Sequence, residues 1–387
     1  MKIKRLILKN WKNFTDVDVG LASRSFIVGP NASGKSNLLD SLRFLHDISR
    51  PGRGLAKALS DRGGLKKIRS LSARKEPQVE IKIELEEADK TKSTTWTYHL
   101  SLINEVRGTH RTLIEKERVT KDGEILLNRP DKDDESDSLR LTQTSLEQIN
   151  VNSAFRELYT FFQDIGYIHL IPQIIRQPEL FFNTNIKIDD DSYGFHFLES
   201  IVNASPQKKR SRLKKIEQAL KIAVPQLTDL RESRDEKGVP HLEATYEHWR
   251  PNAGKQQERE FSDGTIRLIG LLWSILEGKS VILLEEPELS LHPAIVRKIP
   301  QIIHNITRGK GNNIQIMLST HSPDLLSDGS ISAKEIILLD AAKEGTRVRT
   351  AHDIDDVRTL LESGLSPEEV VIPFSSPKDA EQLSLFK

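Results

Sequence analysis

The chain has 387 residues with 57 basic and 56 acidic side chains, a net charge of +1, so overall charge gives no nucleic-acid signal and any anion site must be local. It contains no cysteine, which excludes disulfides, thiolate metal sites and cysteine nucleophiles. No apolar run approaches the ~20 residues of a membrane span, and Met1 to Leu6 leads into alternation rather than a secretory block, so a cytoplasmic location without a membrane partner is expected.

Residues 2 to 9 read as a strand, Asn10-Trp11-Lys12-Asn13-Phe14 as a turn, and Val17 and Val19, alternating with Asp16 and Asp18, as a second strand. Ser25 to Val28 is a short apolar strand. It runs into Gly29-Pro30-Asn31-Ala32-Ser33-Gly34-Lys35-Ser36-Asn37, after which Leu38, Leu39, Leu42 and Leu45 recur at helical spacing. GxxxxGK[ST] between a strand and a helix is the context of a phosphate-binding loop. Its amides and the helix dipole face an anion, Lys35 reaches outer phosphates, and the Ser36 hydroxyl suits the Mg²⁺ that bridges them.

Residues 51 to 75 are rich in glycine and basic residues, from Arg53 and Arg62 through Lys66, Lys67 and Arg69 to Arg74 and Lys75. Clean alternation in 79 to 85, 96 to 102 and 112 to 119, with a turn at Lys121-Asp122-Gly123-Glu124, predicts an antiparallel sheet over about 78 to 128. Asp131 to Asp137 reads as an acidic surface loop, Ala154 to Phe162 as a helix, and Tyr167 to Ile171 as a strand ending at Pro172. Residues 193 to 224 read as mainly helical. Their cluster Lys208-Lys209-Arg210-Ser211-Arg212-Leu213-Lys214-Lys215 is a solvated helix face or a phosphate-contacting one. Lys237-Gly238 and Asn252-Ala253-Gly254 bound further strand material.

Phe261-Ser262-Asp263-Gly264-Thr265 opens an apolar helix closed by Gly278, with Ser262 as its cap and exposed amides forming a second anion site. Val281 to Leu284 is a continuous apolar run, as expected of a central parallel strand, and it ends in Glu285-Glu286-Pro287-Glu288. Carboxylates at such a strand end suggest metal handling by Glu285 and water activation by Glu286. Ile314 to Leu318 is another buried strand, ending in Ser319-Thr320-His321-Ser322-Pro323, where His321 can hydrogen-bond a γ-phosphate or a water.

Taken in order, the 3–10 hairpin, GPNASGKSN at 29 to 37, FSDGT at 261 to 265, VILLEEPE at 281 to 288, Leu-His-Pro at 291 to 293 and STHSP at 319 to 323 resemble the ABC-type ATPase heads of the SMC, RecF and OLD group. The EEPExxLHP form is similar to the OLD- and AbiEii-like ATPases of bacterial phage-defence systems. The resemblance implies an α/β fold with a mixed central sheet, an antiparallel β lobe and a helical insertion. It divides the chain into 1–140, 141–255 and 256–387, the first and last being halves of the head. It implies ATP and Mg²⁺, with Gly29 to Asn37 on the nucleotide, Ser36 and Glu285 on the metal, and Glu286 and His321 catalytic. Gln173 is the leading Q-loop candidate, with Gln163 and Gln177 competing.

In this class the signature, here Ser262, Asp263 and Gly264, closes over the partner's nucleotide, so an ATP-dependent homodimer or higher homo-oligomer is implied. Asp263 and Thr265 depart from the usual signature, and Glu285 stands where an aspartate is common. Only 66 residues follow His321 (387 − 321), which leaves no room for the TOPRIM nuclease of OLD enzymes beside the closing strands. Those strands are expected near 336–339 and 346–350, a helix near 353–363, and a loose tail over 373–387. A separately encoded effector and DNA are the expected partners. A RecF-like repair clamp and an ATP-dependent scaffold with little turnover are the other readings.

Overall fold

The computed structural model describes residues 1–73, 76–88, 93–105, 110–177, 193–194, 197–247, 254–307 and 314–375. Arg74 and Lys75 of the basic stretch, Asn252 and Ala253, and the tail from residue 376 lie outside the described residues.

The N-terminal alternation forms a hairpin, Lys2–Trp11 (β1) and Phe14–Gly20 (β2), followed by Arg24–Val28 (β3). Val79–Ala88 (β4), Ser93–Asn104 (β5), Thr112–Lys121 (β6) and Glu124–Arg129 (β7) extend the hairpin into a six-stranded antiparallel sheet, in the order β2-β1-β4-β5-β6-β7. The β6–β7 turn is made by Asp122 and Gly123, with φ of 48° and 87°.

The second sheet holds Ile165–Ile168 (β8), a strand from the centre of the chain. The insertion then adds a sheet of its own, Leu227–Arg234 (β9), Pro240–Tyr246 (β10) and Lys255–Gln257 (β11), beside the helices Phe197–Asn203 and Pro206–Ala223. Val281–Glu285 (β12), Gln315–Thr320 (β13), Ile336–Ala342 (β14) and Gly345–Thr350 (β15) complete the central sheet, in the order β15-β14-β3-β13-β12-β8. All its pairings are parallel except β14 with β15, so the sheet is mixed.

The apolar runs are explained by burial on both faces. Ile27, Leu283 and Met317 face the helix Lys35–Ser49, which packs through Leu38, Leu39, Leu42 and Leu45 between the central and antiparallel sheets. Phe26, Val28, Ile282, Leu284, Ile316 and Leu318 face the helices Ile299–Thr307 and Pro323–Leu326. Each such side chain contributes ~1.5–3 kcal/mol by leaving water, so a charge at any of these positions would unseat the strand.

Three segments differ from expectation. β8 ends at Ile168 rather than Ile171, because its last pair is with Leu284, one residue before β12 ends, and Pro172 then opens the short helix Pro172–Ile175. The acidic stretch 131–137 contains a helix, Lys132–Ser136, and not only a loop. Asp134 is buried because Arg129, itself buried on β7, takes it as counter-ion at 2.8 Å. Pro367–Ser375 is helical where the loose tail was expected to begin.

Candidate active site

The sheet order brings distant motifs into one row. β13 lies between β3 and β12, and its register pairs Ser319 with Ile27 and with Glu285, and Thr320 with Val28. The phosphate loop, the paired glutamates and the histidine therefore leave the carboxyl ends of three adjacent parallel strands, the usual place for a ligand crevice in an α/β sheet.

The loop from Gly29 to Asn37 joins β3 to the helix Lys35–Ser49. Two glycines are required by space. A Cβ on Gly29 would lie 2.6 Å from the Leu339 carbonyl oxygen, and one on Gly34, at φ 99°, would strike the Asn13 amide. Ala32 is also left-handed, at φ 63°, and Ser33 N–H donates to the Pro30 carbonyl at 3.2 Å. Asn31 and Ala32 are the central residues of that turn, which Pro30 opens, and Asn37 Nδ2 donates to Asn13 Oδ1 at 2.8 Å. The Ser33 hydroxyl is buried with no partner among the described residues. Lys35 Nζ folds back onto the carbonyls of Gly29 (2.8 Å) and Pro30 (3.2 Å). Burial pulls this ammonium below the ordinary lysine value, opposed by the charges of Glu286, Glu288 and Glu285.

Glu285 receives two hydroxyls, Ser36 on Oε1 and Tyr167 on Oε2. Burial, then the Glu285 carboxylate, push the Tyr167 phenol well above its ordinary value, so it stays a donor. Ser36 and Glu285 are hard oxygen donors in direct contact, a set that suits a magnesium ion carrying phosphates. Among the described residues no cluster of three or more His, Cys, Asp or Glu is arranged to hold a metal without such a ligand.

Glu286 has φ 43°, a strained conformation for a side chain without a special need for it. Its N–H donates to the Ser319 carbonyl at 3.1 Å, which turns the carboxylate toward His321, whose Nδ1 lies 3.2 Å from Oε1. Glu288, two residues on, is buried and accepts from Thr320 Oγ1 at 2.6 Å.

The signature segment lies at the start of the helix Asp263–Glu277, closed by Gly278 at φ 81°. Ser262 Oγ accepts from Thr265 N–H at 3.1 Å as the cap. Gly264 must be glycine, because a Cβ would lie 2.6 Å from the Ser290 carbonyl oxygen beyond the paired glutamates. Asp263 pairs with Arg176 at 2.5 Å and accepts from Gln173 Nε2 at 3.4 Å. Gln173 thus meets the signature of its own chain, and the competing Gln163 donates to the Ser49 carbonyl at 2.8 Å.

Four residues escaped sequence reasoning: Asn13, Tyr167, Arg176 and Glu288. Asn13 Nδ2 donates to Ser33 O and to Thr346 Oγ1, each at 2.8 Å, tying the hairpin tip and β15 to the loop. The repeated asparagines of the first turn were its only signal. Tyr167 carried none beyond its place on a short apolar strand.

The fold is that of an ABC-type ATPase head. The chain belongs to the family described as "AAA domain, putative AbiEii toxin, Type IV TA system", which matches residues 24–327. None of the curated proteins matches it. Among solved structures it is similar to an Smc head bound to the C-winged helix domain of ScpA, at 14% identity and TM-score 0.52, covering 90% of this chain and 98% of that one. It is also similar to the Pyrococcus furiosus Smc head with an extended coiled coil, bound to the C-terminal domain of ScpA, at 14% identity and TM-score 0.50, covering 93% and 98%. The Pyrococcus yayanosii Smc head with coiled coil and joint stands at 12% and 0.50, covering 93% and 99%. At these identities the likeness is one of fold. No helix among the described residues is long and apolar enough to cross a membrane.

Proposed function

We propose that this chain binds and hydrolyses ATP between two heads and uses the resulting dimer to control a separately encoded effector, a nuclease, in anti-phage defence. The observation that carries the catalytic part is the row of Ser36–Glu285 and Glu286–His321 contacts across three adjacent strand ends. Gly29 to Asn37 enclose the phosphates, and Lys35 exchanges its two carbonyl partners for phosphate oxygens, which are stronger charge-assisted acceptors. Ser36 and Glu285 hold Mg²⁺, which supplies charge neutralisation at the outer phosphates. Tyr167 fixes the carboxylate rotamer. Glu286 takes a proton from the attacking water, and His321, held at 3.2 Å, orients that water and the γ-phosphate. Gln173 senses the site from the signature side.

Ser262, Asp263 and Gly264 complete the partner's site across a two-fold axis, each head supplying a helix N-terminus to the other. In this reading 1–140 and 256–387 form the head, and 141–255 forms a lobe that transmits closure. Two of the Smc heads above are bound to ScpA domains, which supports a docked partner protein here by analogy of fold.

DNA as a further ligand, in the manner of a RecF-like clamp, is favoured by one observation. The helix Pro206–Ala223 carries seven basic residues and one acidic one, and Lys208, Arg210, Lys214 and Lys215 are exposed.

The test is ATP binding and phosphate release by the purified chain. Lys35→Ala should abolish binding, whereas Glu286→Gln should bind and not release; a Glu286→Gln chain with full cellular activity would favour a scaffold. Co-purification with the product of the adjacent gene tests the effector, and full phage protection by the isolated gene would sink that part.

A further inference from the structure

We propose that Glu288 is the positioning residue that fixes His321 to the turn that follows β12; this rests on the ATPase reading above. Glu286 and Glu288 leave the same strand end and divide one task. Glu286 Oε1 meets the ring of His321 at 3.2 Å. Glu288 Oε1 takes the segment beneath that ring, accepting from the Thr320 hydroxyl at 2.6 Å and from the His321 backbone N–H at 3.4 Å. Thr320 Oγ1 in turn accepts from Ser322 N–H at 3.0 Å. One chain of hydrogen bonds therefore runs from residue 288 through 320 to 322 and brackets His321.

Burial makes this arrangement consequential. Thr320 is fully buried and Glu288 is 7% exposed, while the His321 side chain is 47% exposed. The ring has little packing to hold it, so its reach is decided by the backbone beneath it. Glu288 Oε2 is buried with no hydrogen-bond partner among the described residues. A side chain that keeps one oxygen unpaired in order to place the other is retained for position, not for packing alone. Burial also holds this carboxyl above the usual carboxylate range, which agrees with its enclosed setting.

The experiment is a double-mutant cycle on the full chain. Glu288→Ala should lower kcat roughly 10- to 100-fold, with KM for ATP and the Kd of a fluorescent ATP analogue changed by less than about threefold. In a His321→Ala background the same change should cost less than about threefold more, because the group it positions is gone. Glu288→Gln, which keeps an acceptor oxygen for Thr320, should recover to within about fivefold of wild type. Should Glu288→Ala fail to fold, Thr320→Val removes the same hydroxyl bond and runs the same cycle.

Losses that multiply in the double variant, or equal losses in kcat and nucleotide affinity, would overturn the proposal. Failure of the ATPase reading would instead appear as absent nucleotide binding by the wild type. The ¹⁵N imidazole resonances of His321 in the nucleotide-free chain then decide: they should shift and broaden in Glu288→Ala, and unchanged resonances would refute the role.

Discussion

The trans arrangement can be tested by mixing two dead chains. Lys35→Ala removes an ammonium that holds two carbonyls at 2.8 and 3.2 Å and would hold phosphates in their place. Each charge-assisted bond contributes ~1.5–3 kcal/mol, so losing two should weaken ATP binding roughly 10²- to 10⁴-fold, which leaves the site empty at ordinary assay concentrations. Ser262→Arg places a long cation at an exposed helix cap that accepts from Thr265 N–H, costing ~1 kcal/mol of cap and blocking the face offered to the partner. The two positions are 227 residues apart (262 − 35) and act on opposite sides of a bound nucleotide. With random assortment of a 1:1 mixture, about half the dimers are mixed, and each has one site with an intact loop and an intact signature. The other site carries both defects, so recovery should approach about a quarter of wild-type specific activity. The assay is phosphate release after subunit exchange, with exchange verified by labelled subunits. No recovery despite exchange, or full activity in a strictly monomeric protein, would refute the trans site.

Glu286→Gln should accumulate an ATP-dependent dimer in size-exclusion chromatography with light scattering, and a profile unchanged by ATP would count against nucleotide-driven closure. Arg129→Ala removes the cation 3.1 Å from buried Glu117 and 2.8 Å from buried Asp134, leaving Asp134 only Arg140 at 3.2 Å, and should cost ~3–5 kcal/mol, read as a lower urea midpoint. The hydrogen bond from Arg129 holds Asp134 at about 2 against an ordinary 3.8, so its contribution of ~2 kcal/mol is present above pH 4 and lost as pH falls toward 2; a midpoint that rises on acidification would contradict this. Replacing Lys208, Lys214 and Lys215 by alanine should reduce the slope of log K against log salt for duplex DNA by about 3 if all three meet phosphates, and an unchanged slope would remove this helix from the interface.

What was legible in the sequence was whatever chemistry is local. The run Gly29 to Asn37 carries its own instructions, since Gly29 and Gly34 meet steric limits and Lys35 and Ser36 follow within one turn. The Ser262 cap and the Gly278 stop of the signature helix are equally local. So is the apolar run of β12, because a strand buried on both faces needs no alternation. The mixed α/β head was expected on these grounds and on resemblance, and it is the fold observed.

The tertiary structure alone decided which ends meet. Strand order is a non-local pairing choice, and placing β13 between β3 and β12 is what sets His321 beside Glu286 across 35 residues. The same pairing of β8 with β12 delivers Tyr167 to Glu285, and the hairpin tip delivers Asn13 to Ser33. The reading of 131–137 as a surface loop holds for exposure except at Asp134, which it missed for a related reason: a stretch of acids looks solvated until a buried Arg129, placed by the register of β7, requires one of them as its counter-ion. A side chain's type and spacing state what it can bond, but the desolvated partner that makes the bond necessary is supplied by a strand or turn far away in sequence.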